Sequence, residues 1–345
     1  MNVRRLIPAT AVAGVSTLGL MAVSACTASG AAERTDDGRL QVVASFYPMQ
    51  YLAERIGGDR VAVTTLTKPG VEPHDLELKP RQTAELNDAG LIISLRGVQP
   101  AVDKAIEQAA APHKVDAADL TELRHFDGSG HDHDGHEGET ETEHAEHADE
   151  SGHEEHEEHE EHEEHDHGTG GEAADPHLWL DPVKYAEVAE GVGAGFEKAD
   201  PANAADYRKN TEALVAELTA LDAEFEKGLE KASTRTFITT HSAFGYLAAR
   251  YGLEQEGISG VGPESEPSPA RIKELQEIAE KDKVTTVFFE TLASDRTART
   301  LADDTGLATD VLDPLEGITD KSRGDDYLQV MRANLAALQK ALGAS

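Results

Sequence analysis

Five histidines stand outside a histidine-rich run in this 345-residue chain: His74, His113, His125, His177 and His241. An imidazole nitrogen suits borderline transition metals, and several imidazoles gathered in one place make a zinc-type site. Three of the five share a setting. His74 lies in a Gly/Pro-containing loop after an apolar run that ends at Leu66, His177 directly follows the low-complexity run, and His241 ends the run Thr236 to Thr240. Strand ends and the loops beyond them are where open α/β sheets place ligands. Cys26 is the one cysteine, so no intramolecular disulfide or thiolate metal site can be built, and with only four methionines beside it Cu(I) is disfavoured.

The other histidines behave differently. His153, His156, His159, His162 and His165 recur every third residue among paired glutamates. A period of three does not match the helical 3.6, and there is no large apolar residue to bury, so residues 127–172 read as a disordered, accessory metal-attracting loop. Their spacing also misses the four-residue step of a metalloprotease H-E-x-x-H helix. No G-x-S-x-G elbow or phosphate-binding loop occurs.

The formal net charge of −35 argues against nucleic acid as a partner. About twenty of the acidic residues fall in the histidine-rich segment, where neither Lys nor Arg occurs. The excess therefore belongs to one segment. At the start of the chain, Arg4 and Arg5 precede an apolar stretch from Leu6 to Val23, followed by Ser24, Ala25 and Cys26. This reads as an export signal, residues 1–25, and the lone cysteine after small residues resembles a bacterial lipobox that would carry lipid at Cys26. The small polar residues 26–39 suit a flexible tether.

Positioning three scattered histidines requires repeated strand–helix units, and the chain supplies them. Strands are predicted at 40–46, 61–66, 91–95 and 113–116, with helices at 48–56, 80–89 and 101–110. A second series has strands at 236–240, 284–290 and 309–312, with helices at 242–251, 268–281, 295–304 and 325–342. Between the two series, Tyr207, Leu214, Leu218, Leu221, Phe225 and Leu229 form one apolar stripe on a helix from Pro201 to about Ala232, with Asp200 as its candidate N-cap. The expected fold class is α/β: two (β/α) lobes with parallel sheets joined by one long rigid α-helix. The boundaries are 40–199 for the N-terminal lobe, 200–232 for the helix and 233–345 for the C-terminal lobe.

The run Asp175-Pro176-His177-Leu178-Trp179-Leu180-Asp181-Pro182 resembles the signature of the metal-binding subunits of zinc and manganese ABC importers. Four further segments are similar to that family, in the family's order: Gly70 to His74, His241 to Tyr246, Ser265 to Pro269 and Leu312 to Gly317. The resemblance implies a metal held between two lobes by His74, His177 and His241, with Asp313 at the fourth position. Glu290 is the competing carboxylate, water completes the site in some members, and the alternative role of Asp313 is to cap the turn that follows it. Three imidazoles and one carboxylate favour Zn²⁺, and His241 stands where manganese importers typically carry Glu. Asp181 and Glu77 are candidates for orienting the imidazoles. The implied partners are an ABC permease and its ATPase, with the protein working as a monomer, lipid-anchored on the extracytoplasmic face of the bacterial cell membrane. The alternatives are a manganese or iron homologue, or a surface zinc-dependent hydrolase with Glu290 as its base.

Overall fold

A computed structural model of the protein describes residues 33–126, 174–262 and 266–344. The signal 1–25, Cys26 and the histidines at 153, 156, 159, 162 and 165 lie outside the described residues. Those described belong to the unit spanning 32–345.

The first series builds β1 (Leu40–Ala44), α1 (Tyr47–Gly57), β2 (Val61–Thr65), α2 (Pro80–Asn87), β3 (Leu91–Ser94), α3 (Pro100–Gln108) and β4 (Lys114–Asp116). Its four strands are parallel, in the order β2-β1-β3-β4, with Leu40 opposite Val61, Val42 opposite Leu91 and Ile92 opposite Lys114. After α4 (Pro182–Ala199) and α5 (Ala204–Leu229), the second series repeats the plan with β5 (Thr236–Thr239), α6 (Gly245–Tyr251), β6 (Glu254–Gly257), α7 (Pro269–Lys281), β7 (Thr286–Phe289), α8 (Arg296–Thr305), β8 (Ala308–Val311) and α9 (Tyr327–Ala341). Its strands are again parallel, in the order β6-β5-β7-β8. Buried on both faces, β3 is wholly apolar but for Ser94, as a covered parallel sheet requires. Prolines in the first turn of α2, α3, α4 and α7 start those helices where a missing N–H costs nothing. The α/β expectation with two parallel sheets is met.

Helix α5 begins after a short 3₁₀ turn at Pro201–Asn203, so the predicted single helix is shorter than expected, about 39 Å at ~1.5 Å per residue. Its stripe is buried as predicted, with Thr211 filling the seven-residue gap between Tyr207 and Leu214. Both lobes hold it. Arg55 of α1 pairs with Glu217 at 2.8 Å, while Arg250 of α6 and Arg332 of α9 pair with Asp222 at 2.7 Å and Glu224 at 2.8 Å. Asp200 does not cap the helix. It is buried and takes bonds from Arg34 at 2.7 Å, Asn203 at 2.6 Å and Tyr207 at 2.8 Å.

Two elements have no counterpart in the sequence reading. Helix α4 carries three glycines that lower its helical signal. A Cβ at Gly193 would overlap the Thr211 hydroxyl, so that glycine is what lets α4 lie close along α5. Strand β6 reads Glu-Gln-Glu-Gly, with no apolar run to betray it, and pairs only with β5 at the sheet edge. Part of the expected tether packs on the lobe: Arg34 is bound to Asp200, and the Gln41 N–H reaches the Glu33 carbonyl at 3.0 Å, so residues 33–39 lie against it.

Candidate metal centre

Each sheet reverses its strand order beside its first strand, and ligands gather beyond the carboxyl ends there. His74 sits in the loop from β2 to α2. His177 precedes a 3₁₀ turn at Leu178–Leu180, and His241 lies two residues beyond β5. A fourth group meets them: Glu316, from the loop between β8 and α9. One ligand atom from each of the four lies within 4.8 Å of all the others. Oε1 of Glu316 stands 3.1 Å from Nε2 of His74, 3.2 Å from Nε2 of His177 and 3.5 Å from Nε2 of His241. His177, His241 and Glu316 are buried, and the His74 side chain is 14% exposed. Oε2 of Glu316 and Nε2 of His241 have no hydrogen-bond partner, so the buried centre keeps unused ligand capacity.

The ring orientations are set from behind. Oδ1 of Asp175 accepts from Nδ1 of His177 at 2.7 Å and from the His177 backbone N–H at 2.8 Å. Oε1 of Glu290 lies 2.5 Å from Nδ1 of His241 and also accepts from the Thr240 hydroxyl. Each carboxylate fixes the proton on Nδ1 and leaves Nε2 as the donor of electrons to a cation. Asp175 is itself anchored: its N–H donates to the Arg124 carbonyl at 2.8 Å, and the Tyr246 hydroxyl donates to its carbonyl at 2.9 Å.

The electrostatics follow from this crowding. Burial works against charge on His177, but the charge and bond of Asp175, then Glu316, outweigh it and raise the imidazole to about 9. His241 is raised well above its ordinary value in the same way, with Glu290 the main opponent of burial. Burial would raise Glu316, yet the facing imidazoles of His177, His241 and His74 hold it well below the usual carboxylate range. Beside them, burial and the Glu316 charge push the half-buried Glu72 up to about 8.

The structure brings His74, His177 and His241 together and sets Asp313 apart. Its Oδ1 accepts from the Leu315 N–H at 2.9 Å, and its Oδ2 accepts from Ser322 at 2.9 Å and Thr291 at 3.2 Å. Asn334 grips its backbone from both sides, at 2.9 and 2.7 Å. Asp313 therefore builds the turn that delivers Glu316. Leu315, inside that turn, has φ of 60°, a left-handed conformation that costs a non-glycine residue about 1–3 kcal/mol. Bonds around it hold the strain: Nε1 of Trp179 donates to the Pro314 carbonyl at 2.7 Å, and the Tyr327 hydroxyl to the Trp179 carbonyl at 2.6 Å.

Of the two residues expected to orient imidazoles, Asp181 instead caps α4 through the N–H groups of Val183 and Lys184, and Glu77 is exposed outside the centre. Asp175 and Glu290 take that role. Glu316 was present in the Leu312–Gly317 segment, four residues from a strand end, and an acidic residue in such a loop is the only signal the sequence offered for it.

The family pattern described as zinc-uptake complex component A, periplasmic, matches residues 42–341. The high-affinity zinc uptake system protein ZnuA of Bacillus subtilis is 34% identical over 340 residues, covering 94% of this chain and 97% of that protein. The zinc-binding lipoprotein AdcA of Streptococcus pneumoniae is 32% identical over 312 residues, covering 89% of this chain; the match spans 57% of AdcA, little more than half its length. Among solved structures, the Zn(II)-bound ZnuA-like domain of S. pneumoniae AdcA is similar with a TM-score of 0.66 at 29% identity, over 88% of this chain and 99% of that one. The laminin-binding protein Lmb of Streptococcus agalactiae, described as a bifunctional adhesin and metal transporter, gives 0.71 at 28% identity over 88% and 99%. Matched along nearly all of its two-sheet body, the chain belongs to the family of zinc-uptake complex component A proteins.

Proposed function

We propose that the protein is the zinc-binding subunit of an ABC importer, capturing Zn²⁺ between its two lobes and delivering it to a permease driven by a separate ATPase. The observation that carries this reading is the convergence of three histidine Nε2 atoms on one Glu316 oxygen, within a group of four ligand atoms. The cargo site is His74, His177, His241 and Glu316, in place of the set with Asp313. Three nitrogens and one oxygen match a tetrahedral zinc site, whereas manganese prefers more oxygen. Glu290, committed to His241, serves as an orienting group and not as the base of a hydrolase.

Lipid on Cys26 would hold a monomer at the extracytoplasmic face of the membrane, beside the importer. The histidine-rich segment would add weak, accessory sites. Helix α5, gripped by both lobes, resists wide hinge bending, so release is expected to be triggered by docking on the permease. Competition among zinc, manganese and copper for wild-type protein, alongside His74→Ala, His177→Ala, His241→Ala and Glu316→Gln, tests the assignment. Tight zinc binding that survives in all four variants would remove it.

A further inference from the structure

Two of the three candidate ligand histidines have a carboxylate on Nδ1. Among the described residues His74 has none, so its placement depends on its backbone. Gln99, 1% exposed, meets that backbone from the loop after β3. Its amide nitrogen donates to the Pro73 carbonyl at 3.1 Å and to the Thr67 hydroxyl at 2.8 Å. Thr67 in turn donates to the Ser45 carbonyl at 3.1 Å. One buried amide thus ties both ends of the loop that presents His74.

The second lobe uses the same device from a different place in its fold. Gln255, on strand β6, donates to the His241 carbonyl at 3.0 Å and to the Thr239 hydroxyl at 2.8 Å. The Thr239 hydroxyl donates to that same carbonyl at 2.7 Å. In each lobe both protons of a glutamine amide are spent on a histidine-bearing segment. Oε1 of Gln99 has no partner, a desolvation cost that an apolar side chain of equal volume would avoid. Packing alone therefore does not explain an amide there.

We propose that Gln99 and Gln255 are positioning residues of the metal centre, aiming Nε2 of His74 and of His241 at the place where Glu316 waits. This rests on the zinc-site reading above. Gln99→Met keeps the volume and removes both donors. Zinc affinity, measured by competition with a chromophoric chelator, is compared for wild type, Gln99→Met, His74→Ala and the double variant, with cobalt(II) absorption reporting ligand geometry. Gln99→Met is expected to weaken zinc binding by about 10- to 100-fold and shift the cobalt bands, with no further loss once His74 is Ala. The same pattern is expected for Gln255→Met against His241→Ala. An equal loss in both backgrounds, or lowered thermal stability with unchanged affinity, overturns the proposal. Thr67→Val, which removes the hydroxyl that Gln99 engages, gives the same test should Gln99→Met fail to fold. A wild-type protein without tight zinc binding would sink the zinc reading as well; a tight wild type matched by Gln99→Met sinks only the positioning role.

Discussion

Nε2 of His177 and Oε1 of Glu316 stand 3.2 Å apart, though 139 residues separate them in the chain. The same oxygen faces the rings of His74 and His241, so one carboxylate closes a centre assembled from both lobes. Its position is held by the turn from Asp313 to Glu316, and that turn is pinned to the first lobe by Trp179.

Glu316→Gln should leave the fold intact and weaken zinc by more than about 100-fold, beyond the range for removing an outer partner. Asp313→Ala should lower the melting temperature as well, because it unties the N–H of Leu315 and the hydroxyls of Ser322 and Thr291. Chelator competition and thermal melts on the pair separate ligand from scaffold. Stronger loss of affinity in Asp313→Ala, with its stability unchanged, would reverse the roles.

Zinc binding should release protons. Against burial, Asp175 and Glu316 raise metal-free His177 to about 9, and Glu290 and Glu316 raise His241 as well, so both rings hold a proton more tightly than an ordinary imidazole. Zn²⁺ needs both rings neutral, so protons should leave as it binds and affinity should climb with pH up to about 9. Calorimetry in buffers of different ionisation enthalpy counts them; none released would contradict the assignment. The sign for folding is opposite. The raised His177 stabilises the metal-free protein fully below its ordinary 6.5, and that contribution is lost as pH rises through about 9.

Asp175→Asn and Glu290→Gln should each cost about 10- to 100-fold in zinc affinity while keeping the ligands themselves. Each removes the charge that fixes the Nδ1 proton of His177 or His241. The metal-free pKa of the facing histidine, followed by NMR, should fall. An unchanged histidine titration would show that the carboxylates act elsewhere.

Trp179→Phe should keep the ring packed against Phe46, 5.0 Å away between centroids, yet leave the buried Pro314 carbonyl without its donor. A loss of about 1–3 kcal/mol in stability is expected, together with weaker zinc binding through a looser Glu316. Denaturant unfolding and zinc competition measure both. Affinity equal to wild type would show that Glu316 does not depend on this bond.

Deleting residues 127–172 should abolish weak zinc sites and retain one tight site in calorimetry. The weak component of the full chain should fade below about pH 6.5, the reference histidine value. Disappearance of the tight site on deletion would show that the insertion belongs to the main centre.

The two α/β series, the buried stripe of α5 and the three histidines that meet were all legible in the chain. Each rests on local pattern: alternating strand and helix periods, one apolar face at helical spacing, and imidazoles placed in loops between elements. The family segments added the order in which those histidines meet. Helix α4 escaped because its glycines make room for neighbours, Gly193 for Thr211 of α5, Gly191 for Leu120 and Gly195 for Val115, a purpose invisible without those partners. Strand β6 escaped because its polar residues take their meaning from tertiary partners, β5 beside it, the His241 carbonyl and Arg271 of α7.

What only the tertiary structure decided is which acid meets the three histidines. Asp313 and Glu316 lie three residues apart in one segment, and composition treats them alike. The N–H of Leu315 captures Asp313 and turns the chain, while Trp179, from the other lobe, holds Pro314 so that Glu316 points inward. A sequence determines which side chains can bind a metal; which of two neighbours faces the site depends on where a backbone turn aims it, and that turn is held by local bonds to Asp313 together with Trp179, 135 residues from Pro314.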